Sequence, residues 1–263
     1  MGVCGSSGSY GLASFSQGGG SVANGSHSMA TGFSVSAVGG SSHAEGGSAA
    51  AFGEFSHAEG TDTKAHGYSS HAEGRMTYAS GYSSHAEGHS TSALNIGAHS
   101  EGFITHAYSQ YSHAEGSHSN TGAKPYISST TSCNVNTAVS YNGNIFICKL
   151  SSDPTNVHVP PTISSSDEYW EFLGTDTNHF SHAEGTETNA VGYSSHAEGY
   201  ATAAFGDYSH AEGYNCIAKH DRSFAWSGNW SQYSSNADGS FNIDPVNGLS
   251  GFYIGKKSLA EHL

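Results

Sequence analysis

Small side chains alternate with variable ones along most of this chain, in a pattern that repeats every seven residues. Alanine usually stands two residues before a recurrent glycine and Ser or Thr four before it, which gives the heptad x-x-[Ser/Thr]-x-Ala-x-Gly. The glycines recur from Gly11 to Gly116, with Asn95 and Ser109 in two of their places. Alternation is typical of a strand with one buried face. The pattern therefore predicts short strands separated by bends at the glycines.

Pairs of heptads form a longer repeat, because every second heptad carries His-Ala-Glu-Gly. This tetrapeptide recurs with a step of 14 from His43 to His113, as His-Ser-Glu-Gly at His99, and it resumes from His182 to His210. We expect each 14-residue unit to form one coil of a parallel β-solenoid, with coils stacked about 4.8 Å apart. The small residues would fill the interior, and the His and Glu side chains would form an outward ladder and a subunit contact. The ladder residues are His43, Glu45, His57, Glu59, His71, Glu73, His85, Glu87, His113, Glu115, His182, Glu184, His196, Glu198, His210 and Glu212.

A helical coiled coil also has a period of seven, but the composition argues against one. Glycine at every seventh position would cost a helix about 1 kcal/mol per residue. The seam positions would hold Ala and Ser, which have almost no apolar area to bury. The heptads therefore indicate an all-β chain.

Composition limits the possible partners and the size of the core. Only 35% of the residues are hydrophobic, and the formal net charge is −14. An acidic chain repels phosphate backbones, so we expect no nucleic-acid partner. No apolar run reaches the 18 residues of a membrane span, so no membrane insertion is expected. A roll this thin buries little apolar surface, which favours association of identical copies about the long axis. Aromatic residues beside the predicted corners would contribute to that contact: Phe55, Tyr68, Tyr82, Tyr193 and Tyr208.

The heptads resemble the YadA-like head repeat of trimeric autotransporter adhesins, which also occurs, often with Ser-His-Ala-Glu-Gly, in phage and prophage tail fibres. The resemblance covers about residues 11–119 and 178–220. It implies a left-handed parallel β-roll, a homotrimer and a role in surface attachment. The first residues, 1–11, show no signal peptide, and the chain shows no C-terminal membrane-anchor pattern. These absences favour a phage-type fibre over an autotransporter, and a virion or cell-surface location.

The heptads stop between Gly116 and Ser181, where Pro, Ile, Val and Trp become more frequent. Asn142-Gly143 is a type I′ turn signal between two β-prone runs, which predicts a hairpin within 137–149. A closing strand is expected within 166–173. The segment 124–174 resembles small chitin-binding carbohydrate-binding modules, in its Tyr-Asn-Gly hairpin, its aliphatic-aromatic-Cys strand and its late Trp. This implies glycan binding by exposed aromatic rings, which stack on the C–H faces of sugars. The candidates are Tyr126, Tyr141, Tyr169 and Trp170, with a place in the core as the alternative for Trp170.

The resulting organisation has four parts. These are a first solenoid block (1–119), an inserted β module (120–177), a second block (178–220) and a C-terminal cap (221–263). The last residues, 257–263, are read as a short helical stub or a frayed end. Among the four cysteines, Cys133 and Cys148 would be able to bridge within the insert, with small buried thiols as the alternative.

Catalysis and cofactors are not expected. The chain has no Gly-x-Ser-x-Gly, no His-Glu-x-x-His and no phosphate-binding loop. His and Glu are zinc ligands, but a flat ladder does not close four ligands around an ion, so no metal site is predicted. A hydrogen-bonded His–Glu network is the preferred interpretation. Three functions remain open: a receptor-binding segment of a trimeric phage-type tail fibre attaching to cell-surface glycans, a bacterial trimeric adhesin head, or a purely structural filament subunit.

Overall fold

The chain folds as a parallel β-solenoid of about 13 turns, as the heptads predict. The computed structural model describes residues 7–125, 138–141, 144–149, 170–175, 180–228, 230–244, 253–254 and 257–258. Within these residues the regular structure is all strand, and no helix is long and apolar enough to cross a membrane. Each turn contributes one strand to each of two 13-stranded parallel sheets.

The two sheets differ in strand length. The first, which we call the short-strand sheet, has mostly two-residue strands: β1 (Gly8–Ser9), β3 (Val22–Ala23), β5 (Ser36–Ala37), β7 (Ala50–Ala51), β9 (Lys64–Ala65), β11 (Tyr78–Ala79), β13 (Ser92–Ala93), β15 (His106–Ala107), β17 (Asn120–Thr121), β23 (Asn189–Ala190), β25 (Ala203–Ala204), β27 (Cys216–Ala218) and β29 (Tyr233–Ser234). The second, the long-strand sheet, consists of β2 (Phe15–Gln17), β4 (Met29–Phe33), β6 (His43–Gly47), β8 (His57–Thr61), β10 (His71–Arg75), β12 (His85–His89), β14 (His99–Phe103), β16 (His113–Ser117), β22 (His182–Thr186), β24 (His196–Tyr200), β26 (His210–Tyr214), β28 (Phe224–Ser227) and β30 (Phe241–Ile243).

The small residues of the heptad fill the interior, as predicted. Alanines such as Ala58, Ala65 and Ala72 are fully buried, and so are the Ser and Thr residues two positions before them. Several serine hydroxyls bond within their own corner: Ser56 Oγ donates to the Gly53 carbonyl at 2.6 Å, for example. In these corners an inward serine satisfies its own hydroxyl while occupying little space, which suits a core this narrow.

The bends lie at the glycines in one half of each coil only, which corrects the sequence prediction in part. Gly53 lies in a bend, whereas Gly60 lies within β8. A left-handed residue recurs every seven positions, two residues after each glycine, and it is usually not glycine: Phe55, Asp62, Ser69 and Met76 all have φ between 52° and 56°. The glycines also allow successive coils to approach closely. A Cβ on Gly60 would lie 2.0 Å from the carbonyl oxygen of the glycine one coil further on.

The coils continue past residue 220, where the sequence analysis placed the end of the second block. Strand β28 pairs in parallel with β26, and β30 pairs with β28. The glycine spacing fails here, but Ala225 and Asn242 still occupy buried inward positions, so the coil is maintained without it. Near the end of the chain, β31 (Tyr253–Ile254) and β32 (Lys257–Ser258) form an antiparallel pair. The prediction of a helical stub is therefore wrong for Lys257–Ser258, because these residues pair between strands.

The segment between the two runs of coils forms a separate four-stranded sheet. It contains β18 (Lys124–Pro125), β19 (Ala138–Tyr141), β20 (Asn144–Cys148) and β21 (Trp170–Thr175). The antiparallel pairing of β19 with β20 confirms the predicted hairpin strands, although the turn residues lie outside the described part of the chain. Strand β21 pairs with β20 as the predicted closing strand.

One face of this sheet contacts the solenoid. Ile145 and Ile147 belong to the same buried cluster as Val191, Phe205 and Ile217, which stand on or beside the short-strand sheet. The corresponding positions in earlier coils are mixed: His66 and Ser80 are polar, whereas Phe52 and Leu94 are apolar. Val191, Phe205 and Ile217 are therefore distinguished by burial against Ile145 and Ile147.

Candidate functional site

A column of stacked imidazoles follows the outer face of the long-strand sheet. Each begins a strand and lies directly over its equivalent in the next coil, because the strands pair in register. Successive ring centroids are 4.6–4.9 Å apart along the whole column. We define the His–Glu ladder as the nine histidines 43, 57, 71, 85, 99, 113, 182, 196 and 210, each with the glutamate two residues later. It contains every predicted ladder residue, together with His99 and Glu101.

The ladder is continuous in space although the segment that forms the four-stranded sheet interrupts it in sequence. Strand β16 pairs directly with β22, so that His113 faces His182 and Glu115 faces Glu184. The two imidazoles are parallel within 4°, as closely as those of consecutive coils. The ladder is therefore one surface, although the sequence divides it into two blocks.

Seven of the nine imidazoles, those of histidines 43, 57, 71, 85, 99, 113 and 210, approach their own glutamate without reaching hydrogen-bonding distance. The Nε2–Oε2 separation is 3.5 Å for His99 and Glu101, 3.6 Å for His113 and Glu115, and 4.0 Å for His57 and Glu59. An N–H···O hydrogen bond is usually 2.7–3.2 Å long. All nine ladder Nε2 atoms are buried and have no hydrogen-bond partner among the described residues. The rings themselves are about one-third exposed, so the polar atom is more enclosed than the side chain that carries it.

Burial and stacking favour the neutral form of several ladder imidazoles. Desolvation, followed by the charge of the adjacent imidazoles, lowers the pKa of His71, His99 and His113 below its ordinary value, and the nearby glutamates oppose the shift. The same causes lower the pKa of His196. These four imidazoles therefore take up a proton less readily than a free imidazole does.

Three groups of ladder residues bring their ligand atoms within 4.8 Å of one another. Each group combines a histidine, its glutamate and the histidine of the next coil. The groups are His85–Glu87–His99, His99–Glu101–His113 and His113–Glu115–His182. Imidazole and carboxylate are ligands that transition metals such as zinc accept.

An aromatic column marks one corner of the solenoid. Tyr68 and Tyr82 are stacked with ring centroids 5.1 Å apart, and Tyr111 stacks on Phe180 at 5.4 Å. Each of these rings is between 41% and 55% exposed. We define the corner column as Phe55, Tyr68, Tyr82, Tyr111, Phe180, Tyr193 and Tyr208. Sequence reasoning missed Tyr111 and Phe180, although both follow the seven-residue period of the left-handed corners.

Among the four predicted glycan-binding residues, only Trp170 has a side chain that the structure describes. Trp170 is 1% exposed and packs with Val139, Phe146 and Cys148, so the core alternative applies and Trp170 is not a stacking platform. The prediction that Trp170 binds glycans is therefore corrected, because β21 needs a large apolar residue to close a small core. Tyr141 belongs to β19, but its side chain lies outside the described part, as do Tyr126 and Tyr169.

The described cysteines do not contribute to a site. Burial raises the pKa of the Cys216 thiol to about 12, which leaves it unreactive at neutral pH. Cys148 is buried and disulfide-bonded, and its partner lies outside the described residues. The Cys133–Cys148 bridge therefore stays a prediction.

No protein-family model and no curated protein matches this chain. The candidate site therefore depends on the geometry of the ladder and of the corner column.

Proposed function

We propose that this chain is a structural, receptor-binding segment of a trimeric phage-type tail fibre that attaches to cell-surface glycans. In this proposal three copies of a left-handed β-roll lie side by side and contact one another through the His–Glu ladder. Residues 120–177 form an inserted module, and the residues after the last coil form a cap. The confirmed solenoid, together with the resemblance of its heptads to YadA-like heads, supports this assignment.

The observation that carries the proposal is the constancy of the ladder. His and Glu recur in nine coils with the same spacing, whereas the outward positions of the short-strand sheet vary from Lys64 to Tyr78 to Ser92. Another copy of the chain has the same 14-residue period, so it can repeat one contact at every coil along this surface.

Exposed aromatic rings support glycan attachment. The corner column presents rings such as Tyr82 and Tyr208, which are 55% and 61% exposed. Pyranose rings stack on such faces, while nearby hydroxyls and carboxylates bind the sugar hydroxyls. Tyr126, Tyr141 and Tyr169 provide a second possible location, within the inserted module.

A glycan array with the full chain tests the attachment proposal and locates the site. Two variants separate the locations: Y126A/Y141A/Y169A in the module and Y82A/Y111A/Y208A on the corner column. Binding that only one variant abolishes assigns the site. No binding by the wild-type chain to any glycan would contradict receptor binding.

Two other functions remain as proposals. A bacterial trimeric adhesin head would show the same trimer and the same glycan binding, and neighbouring genes would distinguish it from a phage fibre. A purely structural filament subunit would form the trimer without binding any sugar. The exposed corner column favours a binding role over the filament alone, because apolar rings on a surface usually mark an interaction site.

A further inference from the structure

We propose that the His–Glu ladder is a divalent-metal site of the zinc class, in which an ion binds between two successive coils. Each ion would be held by a histidine, its glutamate and the histidine of the next coil. The three triads identified above provide these ligands. This goes beyond the proposed fibre function, and each triad lies within one chain, so it does not depend on the oligomeric state.

The Nε2–Oε2 distances fit a bridging ion. Two ligands bound at about 2.0–2.1 Å with tetrahedral angles lie roughly 3.3–3.4 Å apart. The separations for His99–Glu101 and His113–Glu115, 3.5 Å and 3.6 Å, are close to this distance and too long for a direct hydrogen bond. The ligand atom of the second imidazole lies within 4.8 Å and has to approach by up to about 1.4 Å to complete the triad.

The enclosed nitrogen atoms provide an independent argument. The Nε2 atoms of His85, His99, His113 and His182 are buried without a hydrogen-bond partner among the described residues. Imidazole binds metals in its neutral form, through an unprotonated ring nitrogen. No hydrogen bond among the described residues competes with an ion for these atoms.

The arrangement of the ladder glutamates also favours the binding of a cation. Glu73 faces Glu87, and Glu87 faces Glu101, so like charges stand directly opposite each other on adjacent strands. Such an arrangement is destabilising unless the charge is offset. The chain as a whole is also acidic, with a formal net charge of −14. A divalent ion would neutralise the charge where it accumulates.

The proposed site uses three protein ligands, fewer than the four on which the sequence prediction of no metal site was based. A closed structural site needs four protein ligands, but an open zinc site uses three and a water molecule. The exposed edge of the ladder leaves space for that water, since the Glu101 side chain is 39% exposed.

Shared ligands limit the occupancy. Each Nε2 atom has one lone pair, so His99 and His113 can each bind only one ion. The first and third triads share no residue, whereas the middle triad shares one with each. The three triads therefore accommodate at most two ions per chain, in alternate gaps of the ladder. The third triad would join the two runs of coils, because it combines His113 and Glu115 with His182.

Isothermal titration of the full chain with zinc chloride at pH 7.5 tests the proposal, with the melting temperature measured in parallel. The wild-type chain should bind two ions, and its melting temperature should rise with zinc and fall back with chelator. The variant H99Q/H113Q, which disrupts all three triads, should lose both ions. The control H66Q/H106Q removes two imidazoles outside the ladder and should bind two ions like the wild type.

A second variant guards against misfolding. E87Q/E101Q/E115Q keeps the shape of half-exposed side chains and all the imidazoles, and it should bind zinc at least about tenfold more weakly. Equal binding by the wild type and H99Q/H113Q would overturn the proposal, as would loss of binding in the H66Q/H106Q control. Absence of zinc binding by the wild-type chain would also overturn it.

Discussion

The imidazole of His113 stacks on that of His182 with ring centroids 4.9 Å apart, although the segment that forms the four-stranded sheet separates the two residues in sequence. The neighbouring coils show the same relationship, because His99 stacks on His113 at 4.6 Å. The intervening segment therefore leaves the phase of the solenoid unchanged. The ladder behaves as a single structural unit, and several consequences can be tested.

Excision of the intervening segment should leave the solenoid folded. Joining Ala123 directly to His179 restores the 14-residue spacing, since residue 126 would have occupied the place of Ser181. The deletion also exposes Phe205 and Ile217, so the shortened chain should associate non-specifically. Adding F205S/I217S should restore solubility, with circular dichroism still showing β structure. A shortened chain that unfolds even with these substitutions would show that the segment is needed for the coils.

Gly60→Ala should destabilise the solenoid strongly. Gly60 has φ of 116°, and an added Cβ would lie 2.0 Å from the carbonyl oxygen of Gly74. The combined backbone strain and overpacking should lower the free energy of unfolding by at least about 2 kcal/mol. Gly47→Ala is a matched control, because a Cβ there meets nothing within 4 Å. Chemical denaturation of both variants provides the comparison, and equal stability would refute this role of the glycines.

Trp170→Ala should cost about 3–5 kcal/mol of stability, as expected for loss of a large core side chain. The ring is 1% exposed and packs against Phe146 and Val139. Trp230→Ala is the control, because Trp230 is 81% exposed and its loss should change stability by less than about 0.5 kcal/mol. Thermal unfolding followed by tryptophan fluorescence measures both. A neutral Trp170→Ala variant would return this residue to the list of candidate sugar platforms.

Acid should destabilise the metal-free solenoid. Burial lowers the pKa of His71, His99 and His113 in the folded chain, whereas the unfolded chain keeps the ordinary value of 6.5. The unfolded state therefore takes up protons first as the pH falls. The contribution of these residues is fully present above pH 6.5 and is lost as the pH falls through the folded-state pKa values. Melting temperatures in chelator from pH 8 to pH 5 should decrease, and a flat profile would contradict this account.

Much of the solenoid could be predicted from sequence because its core depends on residue size and spacing. The alternation of Ser or Thr with Ala identified the inward face, and both Thr63 and Ala65 are fully buried. The His-Ala-Glu-Gly step identified the ladder, although not the greater length of its strands. Local periodicity was sufficient, since each coil contacts mainly its neighbours.

Other features depend on contacts that the period does not encode. The left-handed corners lie at residues such as Phe55 and Met76, whose types do not indicate positive φ. The coils continue through Phe241–Ile243 because residues of suitable size still face inward, not because the glycines persist. The burial of Trp170 depends on β21 pairing with β20, which no local pattern specifies.

The mass of the full chain in solution, measured by light scattering or sedimentation equilibrium at neutral pH, tests the central claim most directly. The claim is that the ladder is a contact surface between identical copies. The account predicts three times the mass of one chain, and a lower mass for a variant with E59K, E73K and E198K on the ladder face. A stable, fully folded monomer at micromolar concentration would contradict it.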